Sequence, residues 1–219
     1  MTSILIDPFV FRALAGGMLL CAFFLVARMR LRAMLKMFAC QSLLLAIFAG
    51  LTAFKADEPS LYITALLTAI LKVWFIPWLL VFATDRARAS HRLQAYIHPT
   101  IILMCAALTV GGAFMLTRSL LPVASADYLM AASAVSMILL GLLMLVTRKD
   151  MYGQIIGFLL MENGIFTFGL TLTGGMPLLV EMGIFFDVAI GAVLMAALSY
   201  RVQQELETVD TDTLTKLID

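Results

Sequence analysis

Lys72, Glu162 and Asp187 each fall near the middle of a long apolar run in this 219-residue chain. Each run is about 20 residues long, enough at roughly 1.5 Å per residue to cross a hydrocarbon core about 30 Å thick. A charged side chain at the bilayer centre costs at least about 2.5–3.5 kcal/mol on insertion scales, so these three residues are expected to meet partners inside a helix assembly rather than acyl chains. Two chemistries suit them. Burial favours the neutral form of an acid or a base, and a nearby opposite charge favours the ionised form, so the three could pass protons or cations along a relay. The other reading is a buried ion pair or hydrogen-bonded cluster that only fixes helix packing.

The surroundings of each charge are informative. Gly183, Asp187 and Gly191 recur at i, i+4 and i+8, placing small residues above and below the acid on one helix face, where another helix can approach closely. Glu162 is followed by Asn163 and Gly164, so its helix also carries polar and small groups at mid-depth. Lys72 precedes Pro77, which in a regular α-helix removes the hydrogen bond to the carbonyl of Val73. Gln41 and Ser42, mid-way along another run, either extend the polar track or serve as interhelical glue. Arg12 and Glu181 lie within two turns of a span end and are expected to reach the interface.

Other chemistries find little footing. Cys21, Cys40 and Cys105 lie inside apolar runs without CxxC or Cys/His ligand spacing, so they read as core fillers. His91 and His98 lie in or beside a loop without metal-ligand company, and there is no phosphate loop, HExxH or Gly-rich dinucleotide turn. Trp74, Trp78 and the 15 methionines read as packing rather than quinone or copper sites. No metal, cofactor or catalytic residue is expected, and the net charge of +1 gives no ground for nucleic-acid binding.

The elements that must hold the charges are membrane helices. The composition is 63% hydrophobic and 13% charged, against roughly one quarter charged in an ordinary soluble domain. Seven spans are expected, at 5–27, 33–54, 61–83, 99–117, 127–146, 152–173 and 178–199. These runs are too long and too continuously apolar for barrel strands, which makes the fold class an all-α polytopic membrane protein. Pro59, Pro99 and Pro177 sit at or just before helix starts, and Gly174–Gly175 closes the sixth helix. Arg28, Arg30, Arg32 and Lys36 follow the first span, Arg86, Arg88 and Arg92 the third, and Arg148 and Lys149 the fifth, while the alternate links are poor in bases. The positive-inside rule then puts the N-terminus outside and the C-terminus in the cytoplasm. The first segment lacks a basic leader and a small-residue cleavage site and is expected to be retained. An internal echo runs at a spacing of 120 residues, Arg28 through Phe38 matching Arg148 through Phe158 in layout. Helices four apart share an orientation, so this would be a parallel repeat.

The strings Ile156-Gly157 through Met161-Glu-Asn163, Asp187-Val-Ala-Ile-Gly191 and Val209-Asp-Thr-Asp-Thr-Leu214 resemble the small K subunit of respiratory complex I and the related subunit of multisubunit cation/proton antiporters. With its longer N-terminal half and Phe38-Ala-Cys-Gln-Ser-Leu-Leu44, the whole chain is similar to hydrogenase-4 component E, a membrane subunit of formate hydrogenlyase-type and related group 4 nickel–iron hydrogenase complexes. The resemblance implies an N-terminal four-helix membrane region over 1–125, a three-helix K-subunit-like region over 126–200 and a cytoplasmic acidic tail over 201–219. In K-type subunits two helices each carry a membrane glutamate of a proton-conducting axis. The second maps onto Asp187; the first maps onto Leu159, which cannot titrate, while Glu162 stands one helical turn later on roughly the same face.

The resemblance further implies larger antiporter-like membrane subunits as partners, and a peripheral arm of nickel–iron and iron–sulfur centres where redox energy arises. The setting is the cytoplasmic membrane of a bacterium or archaeon. The chain itself would be non-catalytic, with Glu162 and Asp187 as relay carboxylates and Lys72 modulating their charge or handing on protons. The alternatives are a purely structural subunit that docks antiporter-like partners, or an independent small ion transporter.

Overall fold

A computed structural model describes residues 7–86, 95–120 and 125–173. Among these, every regular element is helical, and six helices are long and apolar enough to cross a membrane. Helix α1 spans Pro8–Ala27 and α2 spans Leu31–Ala56. Helix α3 is composite: α-helical Pro59–Thr68, π-helical Ala69–Phe75 and α-helical Ile76–Arg86. Then come α4 (Pro99–Leu120), α5 (Ser125–Thr147) and α6 (Met151–Thr173). The expected spans over these residues are found, mostly a few residues longer than the apolar runs alone. The seventh expected span, 178–199, lies outside the described residues.

Local chemistry sets the helix ends. Asp7 caps α1 by accepting the Phe9 N–H at 2.9 Å, with Pro8 at the first helical position, where a missing N–H is harmless. Asp57 ends α2 in the left-handed conformation at φ 55°, its N–H reaching back to the Ala53 carbonyl, and Pro59 starts α3 two residues later. Asp150 caps α6 by accepting the Gly153 N–H at 2.6 Å.

Helices α5 and α6 form the tightest pair, and glycine is the reason. A Cβ added at Gly141 would lie 2.6 Å from the Met161 backbone nitrogen and 2.7 Å from the Gly157 carbonyl oxygen. One added at Gly164 would lie 2.7 Å from the Ile138 nitrogen. The two backbones therefore touch directly, as small residues permit in membrane bundles. Helices α1 and α2 form a second hairpin, and α1 packs on α5 while α2 packs on α6 and α3. The core is apolar, with Met18, Leu25, Phe38, Phe48, Met137, Leu140 and Leu160 among its buried side chains. Most hydroxyls are satisfied within their own helix: Thr52, Thr84, Thr117, Ser133, Ser136 and Thr167 each donate to the carbonyl four residues back.

Candidate functional site: a polar cluster inside the bundle

Lys72 owes its direction to the π-helical stretch of α3. There the Ile76 N–H reaches the Leu71 carbonyl five residues back, a wider turn that occurs frequently at functional sites. Pro77 has no N–H with which to carry that register further. Within the stretch Lys72 is turned fully inward, while Ile70 and Trp74 are exposed.

On α6, Glu162 and Asn163 are both buried, held in place by the glycine contacts with α5 on either side. Lys72 Nζ lies 3.1 Å from Glu162 Oε1, with only 3% and 6% of the two side chains exposed. Lys72 Nζ also donates to Asn163 Oδ1 at 3.1 Å. The amide of Asn163 is oriented in turn, because its Nδ2 donates to Ser42 Oγ of α2 at 3.3 Å. Three helices thus meet through polar atoms at one depth. Gln41 lies beside Ser42, fully buried, with Nε2 against Met137 Sδ at 3.1 Å; its carbonyl oxygen finds no donor among the described residues.

Such an arrangement can hold a charge pair out of water and let one ammonium choose between an anionic and a neutral acceptor. Leu159 is fully buried one turn from Glu162, so both positions look into the core. The sequence singled out Lys72 and Glu162, and the fold brings them together. Asp187 lies outside the described residues. Asn163 and Ser42 prove to be the bridge to α2, a role that adjacency in sequence could not show.

Arg148, counted from the sequence among the bases that follow the fifth span, has a fully buried side chain. Nη2 donates to the carbonyls of Val26 at 2.8 Å and Arg28 at 2.7 Å, closing the last turn of α1 from another helix, and Nη1 contacts Met29 Sδ. Burial pushes the guanidinium below its ordinary range, partly offset by the negative charge of Asp150. The available signal was its register with Arg28.

The remaining candidates are quickly placed. Trp78 stacks on Phe82 with ring centroids 5.6 Å apart, and Trp74 and Trp78 are exposed on the outer face of α3, where the hydrocarbon would lie. Cys40 is exposed rather than a core filler, with its sulfur 3.8 Å from that of Cys21. Arg12 is half-buried near the start of α1. Among the described residues no group of His, Cys, Asp and Glu is arranged to hold a metal ion.

A helical bundle with six spans long and apolar enough to cross a membrane and a charge pair buried between them defines the class: a multi-pass helical membrane protein. The family model for NADH-ubiquinone/plastoquinone oxidoreductase chain 4L matches residues 129–219. Hydrogenase-4 component E of Escherichia coli (strain K12) is 33% identical over 206 residues, covering 93% of this chain and 95% of that protein. An uncharacterized protein of Mycobacterium tuberculosis is 31% identical over 210 residues, covering 94% of each. No solved structure gives a significant match. The chain belongs to the hydrogenase-4 component E family.

Proposed function

We propose that this chain contributes part of a lateral proton or cation path in the membrane arm of a hydrogenase-like, complex I-related complex. Redox chemistry in a peripheral nickel–iron and iron–sulfur arm drives that movement, and larger antiporter-like subunits flank the chain. In this reading Lys72 and Glu162 are relay groups and Asp187 is a third. The chain lies in the cytoplasmic membrane of its cell, N-terminus outside and C-terminus inside.

The observation that carries the reading is the Lys72–Glu162 pair, 3.1 Å apart and shielded from solvent in the middle of helices long enough to span a bilayer. Buried ion pairs are poor stabilisers compared with apolar packing of the same volume, so their presence at mid-membrane favours a working role. The Asn163 carbonyl supports it further, since it gives the ammonium a second seat whenever Glu162 takes up a proton. Gln41 Oε1, buried without a donor among the described residues, suits a bound water that would extend the track along α2.

Ion movement per electron transferred is the test, measured in liposomes holding the whole complex. Glu162→Gln should leave assembly and redox turnover in place and abolish most coupled ion movement. A Glu162→Gln complex that assembles normally with full coupling would end the relay reading and leave the pair a packing device.

A further inference from the structure

Cys21 of α1 and Cys40 of α2 carry sulfurs 3.8 Å apart. Their helices run antiparallel through the short link 28–30, and the register of this hairpin sets the two thiols face to face. Gly17 and Leu44 stand one turn away on the same seam, four residues before Cys21 and four after Cys40. A Cβ added at Gly17 would lie 3.2 Å from Leu44 Cδ1, so the backbone of α1 comes close to α2 just where the thiols meet. An S–S bond is about 2.05 Å long, and side-chain rotation on two helices already in contact supplies the remaining approach.

The surroundings select the chemistry. Cys40 is exposed and Cys21 half-buried, while Leu20 and Phe24 on α1 and Leu43 on α2 open outward around them. Cys21 stands six residues before the end of α1 and Cys40 nine after the start of α2, roughly 9–14 Å into the span at about 1.5 Å per residue. This seam therefore meets acyl chains rather than water. Charged thiol reagents such as glutathione do not reach that depth, and hydrocarbon disfavours the free thiolate that thiol–disulfide exchange needs. An oxidant acting there must dissolve in lipid and take hydrogen together with the electrons. Quinones do both.

We propose that Cys21 and Cys40 form a reversible modification site, a dithiol that a membrane quinone oxidises to an interhelical disulfide. Both S–H bonds break and one S–S bond forms. The two protons and two electrons pass to the quinone, whose two carbonyls become the hydroxyls of the quinol, so no charge is left in the hydrocarbon. The bond ties α1 to α2 two residues before Ser42, which holds the amide of Asn163. Disulfides formed on the reducing side of a membrane are usually transient and redox-sensing. Closure depends only on the thiol contact and the lipid-facing seam, not on ion movement.

Native membranes holding the full-length chain, kept free of dioxygen, are treated with a fully ring-substituted decyl quinone or with oxidised glutathione, then denatured and labelled with a maleimide. Mass spectrometry should show Cys21 and Cys40 joined, with two hydrogens lost, in the quinone arm alone, while Cys105 of α4 stays labelled. Reductant added after denaturation should return both thiols, and Cys21→Ser or Cys40→Ser should each leave the remaining one labelled. A quinone arm without the joined peptide, an equal yield with oxidised glutathione, a quinone adduct on either sulfur, or a bond to Cys105 would each overturn the inference.

Discussion

Replacing Glu162 by glutamine keeps the shape of the side chain and removes its charge. The Lys72 ammonium would then lose the carboxylate at 3.1 Å and keep the neutral Asn163 Oδ1, in a site where 3% of the lysine side chain is exposed. Solvent cannot screen a charge held that deeply. Breaking a buried pair by removing one partner destabilises by about 3–5 kcal/mol, because the other charge stays buried without a counter-ion. The neutral acceptor Asn163 should hold the loss to the lower part of that range. Replacing both residues, as Glu162→Gln with Lys72→Met, removes the stranded charge and should recover most of the stability, since apolar substitutes for buried pairs are often neutral. The assay is a double-mutant cycle on denaturant unfolding in mixed micelles, read by helical circular dichroism, with a coupling of about 2 kcal/mol or more expected for residues in direct contact. A single-variant loss below about 1 kcal/mol, within the range of an exposed salt bridge, would refute the reasoning, as would additivity of the two substitutions.

Two further outcomes follow from packing. Arg148→Gln withdraws the donors that close α1 from α5 and should cost about 1.5–3 kcal/mol; Arg148→Lys should fail to rescue it, because one ammonium cannot reproduce the forked geometry on the Val26 and Arg28 carbonyls. Thermal unfolding of the two variants against the parent chain decides the point. Gly141→Ala puts a methyl group within 2.7 Å of the α6 backbone and should cost about 1–3 kcal/mol by overpacking, while Gly111→Ala on α4, where a Cβ meets nothing within 4 Å, should be silent in the same unfolding measurement.

Much of this molecule is legible residue by residue, because what decides it is local. Apolar runs long enough to cross a bilayer become helices, since a backbone in lipid must satisfy its own hydrogen bonds, and Pro59 and Pro99 mark helix starts by chemistry confined to one turn. The expense of a mid-membrane charge alone drew attention to Lys72 and Glu162. Rotation about each helix axis is a different matter. Which way Lys72 points depends on a π turn that apolar periodicity does not reveal, and which groups it meets depends on how closely Gly141, Gly157 and Gly164 let α5 and α6 approach. Arg148 makes the same point most sharply. Its charge and its place after an apolar run are those of a solvated link residue, and only the packing of one hairpin on another turns it inward to close the end of α1, while Arg28, alike in sequence context, stays open.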